Sequence, residues 1–249
     1  GHLKPGGTVV DATSGNTGFS LAMICAIKGY RCVLTVTNKI SEDKLNNLKA
    51  MGAEVVLCPQ EALPQDENSY YKMAEKLAKE IPGAFYANQN YNLDNSDAHY
   101  LSTGPEIWEQ TQGRITWLVG AASTGGTLCG SGRFLREQNP NLRIIGVDAY
   151  GSVLKKYHET GVYDQKEIYP YRIEGTGKNI LPANMDFGLI DRFVKVTDKD
   201  SALRAREIAR EEGLLVGYSS GAALQALEQI KDELVEEDIV VLLFSDHGS

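Results

Sequence analysis

Short β-branched runs alternate with alanine-rich or amphipathic stretches along the whole chain. The runs predict strands at 8–11, 32–36, 54–57, 85–87, 117–120, 144–148, 193–196 and 239–244. Several are apolar without interruption, which is the pattern of a strand covered by helices on both faces. Helices are predicted between them, at 19–28, 42–51, 70–80, 98–111, 128–138, 202–212 and 222–235. Their ends carry the expected signals: Gly29 stops the first, Ser41 caps the second, and Pro82-Gly83 stops the third. Such alternation predicts an α/β protein built on open, mostly parallel sheets flanked by helices. The least regular stretch, 154–188, is expected to cross the surface. An Asn-rich turn at 89–94 marks a boundary between a smaller lobe, 1–92, and a larger one, 93–249.

The 249 residues suffice for two such lobes, and 42% hydrophobic with 23% charged residues is ordinary globular composition. A net charge of −8, spread rather than clustered, argues against nucleic acid and membrane surfaces as partners. Small anions are not excluded, because a helix N-terminus can hold one inside an acidic protein. Cys25, Cys32, Cys58 and Cys129 form no Cys-x-x-Cys pair, so buried thiols in a reducing cytoplasm are expected, with no metal site. No apolar run approaches the ~20 residues of a membrane span.

Three strand-to-helix turns carry the candidate chemistry, since open parallel sheets bind ligands at the carboxyl ends of their strands. Thr13-Ser14-Gly15-Asn16-Thr17-Gly18 gathers hydroxyls, an amide and two glycines before a helix, a cradle suited to a carboxylate. Ser123-Thr124-Gly125-Gly126-Thr127 reads as a phosphate cup without the lysine of a nucleotide P-loop. Gly217-Tyr218-Ser219-Ser220-Gly221 fits the Gly-x-Ser-x-Gly elbow of serine hydrolases. That reading needs an acid and then a histidine downstream. Only Asp246 beside His247 is offered, and adjacent residues point different ways.

In this order and context the motifs resemble the β family of pyridoxal-phosphate enzymes, fold type II, close to cysteine synthase and cystathionine β-synthase. The likeness runs through Leu3-Lys4-Pro5-Gly6-Gly7-Thr8, the Thr13 turn, a Leu-x-x-x-Gly-Ala-Glu pattern ending at Glu54, and Gln89. It continues through Thr103-Gly104-Pro105-Glu106-Ile107-Trp108, the Thr124 turn, Glu174-Gly175-Thr176-Gly177 and Ser219-Ser220-Gly221. The resemblance implies a pyridoxal 5'-phosphate cofactor in a cleft between the lobes. Thr13, Ser14, Gly15, Thr17 and Gln89, with Gly175, would serve the amino-acid substrate. Asn16 would meet the cofactor's ring oxygen, Ser123, Thr124, Gly125, Gly126 and Thr127 its phosphate, and Ser219 its pyridine nitrogen. A hydroxyl there makes the ring a weaker electron sink than a carboxylate would, which suits loss of a β-substituent.

The implied reaction is β-replacement on serine or O-acetylserine by homocysteine or sulfide, in a homodimer. Gly151-Ser152-Val153-Leu154, Glu174 and the closing Ser245-Asp246-His247-Gly248-Ser249 lean towards the cystathionine β-synthase branch. Lys178, where an aromatic is usual, leans away, and Ser123 replaces the usual glycine. The family's Schiff-base lysine, in a Ser-x-Lys-Asp-Arg motif, has no counterpart, so no catalytic residue is assigned. Lys39, Lys44 and Lys178 stand outside that context. The resemblance places the lysine upstream, in a native protein extending beyond both ends of this chain. A cofactor-binding pseudoenzyme and the Gly-x-Ser-x-Gly hydrolase are the alternatives.

Overall fold

The computed structural model describes residues 3–13 and 15–248. It divides into two compact units, Gly1–Asn92 and Leu93–Ser249.

The first unit is built on four parallel strands, β1 (Thr8–Ala12), β2 (Arg31–Thr37), β3 (Glu54–Cys58) and β4 (Phe85–Tyr86), in the order β3-β2-β1-β4. Helices α1 (Asn16–Lys28), α2 (Glu42–Ala50) and α3 (Tyr70–Glu80) connect them. Alternate strand residues enter opposite layers, as the period of two demands. Val9, Leu34 and Val36 pack with Ala22 and Cys25 of α1 and Leu48 of α2. Val10, Ala12 and Val33 pack with Ala74 of α3.

The second unit repeats the plan with β5 (Trp117–Ala121), β6 (Arg143–Ala149), β7 (Arg192–Val196) and β8 (Val240–Leu243), all parallel, in the order β7-β6-β5-β8. Helices α4 (Asp94–Leu101), α5 (Thr103–Gln110) and α6 (Gly126–Gln138) lead up to β6, and α7 (Leu154–Thr160), α8 (Asp198–Glu211) and α9 (Tyr218–Ile230) follow it. Leu118 and Ile144 face Leu128, Cys129 and Leu135 of α6. Their strand neighbours Trp117, Val119, Ile145 and Val147 face Ala222, Ala226 and Ile230 of α9. All four cysteines are buried free thiols, and burial pushes Cys32 and Cys129 up to about 12.

Three departures from the expected elements have local causes. The helix expected at 98–111 is two helices, α4 and α5, broken at Ser102. Pro105 explains the break, since it has no N–H for the Leu101 carbonyl and its ring would clash there, so it is accepted only in the first turn of a helix. The stretch 154–188 contains α7, whose end is set by Gly161 in the left-handed conformation. Helices α1, α6 and α9 begin earlier than expected, at Asn16, Gly126 and Tyr218. The glycine and hydroxyl motifs are therefore first helical turns rather than loops ahead of helices. No described helix is long and apolar enough to cross a membrane.

Candidate functional site

The candidate residues of the first unit collect at the N-terminus of α1. Ser14 lies outside the described residues. Thr13, buried, follows β1, with its N–H bonded to the Thr35 carbonyl and its hydroxyl accepting from the Gly15 N–H at 3.3 Å. The Thr17 hydroxyl donates to Gln89 Oε1 at 2.9 Å, and the Gln89 amide donates to the Ala12 carbonyl at 3.4 Å. Gln89, remote in sequence, is thus anchored beside the turn. Asn16 opens α1 and is exposed.

In the second unit the glycine-hydroxyl turn lies between β5 and α6. Gly125 has φ +93°, and a Cβ there would sit 2.6 Å from the Asn184 carbonyl oxygen. Only glycine fits both constraints. Asn95 of α4 donates to Thr124 Oγ1 at 3.2 Å, and the Gly126 N–H approaches the same oxygen at 3.3 Å. With both acceptor positions engaged, the Thr124 hydroxyl keeps its hydrogen for a ligand. Thr127 Oγ1 lies 3.1 Å from His99 Nε2, and His99 Nδ1 lies 2.9 Å from the Thr103 hydroxyl. Burial lowers the His99 pKa and so favours the neutral ring, which carries a single N–H. When Thr103 donates to Nδ1, Nε2–H donates to Thr127, whose own hydrogen is then available to a ligand. Asn95 and His99 were not singled out from the sequence as site residues. An Asn and a His four residues apart on a helix carry no signal until that helix is seen behind the turn.

Helix ends distinguish the three motifs. Helices α2, α3 and α8 are capped by their own Ser41, Ser69 and Thr197. Helices α4 and α5 lack a side-chain cap but carry acidic residues in the first turn, which repel an anion. Helices α1 and α6 have glycine N-caps, Gly15 and Gly125, no side-chain cap and no acid in the first turn. Among the described residues, neither an N-cap side chain nor a first-turn acid occupies those two N-termini, which suits them to an anion. Helix α9 also has a glycine N-cap, Gly217, but the Asp246 carboxylate accepts from the Ser219 N–H at 2.8 Å and the Ser220 N–H at 3.1 Å. Its positive end is already filled.

Ser219 itself is 2% exposed and lies against the Gly-x-Gly loop: a Cβ on Gly175 would be 3.3 Å from Ser219 Cβ. That loop is pinned on both sides. The Gly177 N–H bonds the Ala122 carbonyl at 2.6 Å, just before Ser123, and the Lys178 N–H bonds Ser152 Oγ at 2.9 Å. Ser123, Thr124, Gly125, Gly126, Thr127, Gly175 and Ser219 are therefore held in one connected framework. Asp246, with its carboxylate on α9, and His247, bridged to Val216, are built into the start of that helix. This placement speaks against the hydrolase reading.

A family model described as pyridoxal-phosphate dependent enzyme matches residues 1–246. Cystathionine beta-synthase of Apis mellifera is 42% identical over 99% of the chain and 48% of its own length. The chain spans about half the length of the curated relatives it matches. Among solved structures, an O-acetylserine dependent cystathionine beta-synthase from Helicobacter pylori is 32% identical. It superposes at a TM-score of 0.87 over the whole chain and 77% of its own. A hydrogen sulfide-producing enzyme from Fusobacterium nucleatum is 30% identical, also at 0.87, over 99% of this chain and 78% of its own.

Proposed function

The chain belongs to the family of pyridoxal-phosphate-dependent enzymes, and from that premise we propose that it is the cofactor-binding body of a cystathionine β-synthase-like β-replacement enzyme. It would act on serine or O-acetylserine with homocysteine or sulfide. The observation that carries the reading is the N-terminus of α6. Its glycine cap admits no side chain, Asn95 leaves the Thr124 hydroxyl free to donate, and His99 leaves the Thr127 hydroxyl free in the tautomer that carries its proton on Nε2. This donor set fits a phosphate, and the cofactor of the family has one.

In this reading Ser123, Thr124, Gly125, Gly126 and Thr127 hold the phosphate, Ser219 meets the ring nitrogen, and Asn16 meets the ring oxygen. When bound, pyridoxal phosphate supplies the electron sink that lets a β-substituent leave. The α1 N-terminus, with Thr13, Ser14, Gly15, Thr17 and Gln89, orients the amino-acid carboxylate, and Gly175 offers a backbone surface to the substrate. The likeness to cystathionine beta-synthases favours that branch over cysteine synthase. We take the protein to be a homodimer, with its buried thiols fitting a reducing cytoplasm.

Two measurements test the reading on the full-length protein. Turnover is assayed with serine and O-acetylserine against homocysteine and sulfide. Cystathionine formation is the expected result, and failure of every pair would remove the proposal. Thr17→Val should raise the KM for the amino acid about fivefold, the equivalent of losing the ~1 kcal/mol hydrogen bond that anchors Gln89 beside the turn. The cofactor's absorption should stay as in the wild type. A collapse of cofactor binding instead would refute the division of labour between the two helix ends.

A further inference from the structure

The first turn of α9 leaves its N–H groups without an intrahelical partner, as every helix does. In most helices the N-cap side chain accepts from the second or third N–H. Here the N-cap is Gly217, which has no side chain. Asp246, 26 residues beyond Ser220, does that work instead. One carboxylate oxygen takes the Ser219 N–H, and the other takes both the Ser220 N–H and, at 2.5 Å, the Ser220 hydroxyl. The chain end is held there by further bonds, from the Gly217 N–H to the Asp246 carbonyl and from the Gly248 N–H to the Leu215 carbonyl. A Cβ on Gly217 would run into the Asp246 carboxylate, so the missing side chain and the imported one are complementary.

The consequence falls on Ser219. Its neighbour Ser220 has its hydroxyl committed to Asp246, which leaves Ser219 as the hydroxyl of this turn that faces the Gly175 loop. We propose that Asp246 is a positioning residue for Ser219, fixing the first turn of α9 so that the Ser219 hydroxyl is presented to the cofactor's ring nitrogen. The inference rests on the cofactor role proposed for Ser219.

The test uses the full-length protein, with pyridoxal phosphate titrated by fluorescence and amide exchange followed at Ser219 and Ser220. Asp246→Ala should weaken cofactor binding about tenfold, about 1.4 kcal/mol, and expose both amides to exchange. Gly217→Ala, which displaces the carboxylate, should do the same. Asp246→Asn should restore only part of the affinity, because its single amide oxygen can accept from one of the two N–H groups that the carboxylate holds. In a Ser219→Ala background Asp246→Ala should cost little more, since both changes act on one hydroxyl. Loss of amide protection with cofactor affinity unchanged would overturn the proposal, and so would fully additive losses in the double variant. An Asp246→Asn protein with protected amides but binding weakened by the full factor of about ten would overturn it too, and this arm holds even where Asp246→Ala does not fold. Absence of binding by the wild type would instead sink the functional reading beneath it.

Discussion

Replacing Gly125 by valine is expected to eliminate pyridoxal phosphate binding and to destabilise the larger unit. Two costs add. At φ +93° a side chain is strained wherever it points, by about 1–2 kcal/mol, and more for a β-branched residue. The new Cβ would also lie 2.6 Å from the Asn184 carbonyl oxygen and 2.7 Å from Met185 Cα, both backbone atoms that cannot swing aside. Overpacking of this kind costs roughly 1–3 kcal/mol. Relief comes only by moving the turn, and that takes Thr124 off Asn95 and Thr127 off His99. Denaturant melts and a cofactor titration, performed where circular dichroism shows the variant folded, check both parts. Wild-type affinity in the folded variant would mean that the phosphate does not sit at this turn.

Lys195→Met is expected to lower stability by about 3–5 kcal/mol, the usual cost of stranding one member of a buried ion pair. Lys195 is 10% exposed, and its ammonium lies 3.6 Å from Asp148, which is fully buried, and 3.5 Å from Glu167. It also donates to the Ala149 and Ser152 carbonyls at 3.2 and 2.8 Å. These bonds brace the turn whose Ser152 hydroxyl holds Lys178 and the Gly175 loop. Burial raises the Asp148 pKa even with the lysine present, and removing the cation raises it further. The folded state of the variant then binds a proton more readily than the unfolded chain. Its stability therefore falls as pH rises above the ordinary carboxylate range. The deficit should be larger at neutral pH than at mildly acidic pH, and Asp148→Asn in the same background should recover part of it. Thermal melts across that range decide: a deficit independent of pH would show that Asp148 is not the group left uncompensated.

The sequence by itself determined the eight strands, most of the helices between them, though not α7, and the position of each glycine-hydroxyl turn. These are local properties. A continuous β-branched run, a helical period, a Ser41 cap or a Gly29 stop is written within a few residues, and parallel pairing follows from the alternation. Pro105 marks the break between α4 and α5 just as locally, although 98–111 reads as one helix by its pattern. What the three turns do was not local. All three read as glycine-rich turns at helix starts, and only the tertiary structure showed which of them a distant side chain caps, because a cap can come from anywhere in the chain. Asp246 closes the third from 26 residues past Ser220, while α1 and α6 have no N-cap side chain and no acid in the first turn. Gln89 reaches Thr17 across 72 residues, and His99 reaches Thr127 across 28. Lys195 meets Asp148 only because β7 lies beside β6. Hydrogen bonds and ion pairs of this kind depend on which strands become neighbours, and hydrophobic periodicity does not specify that.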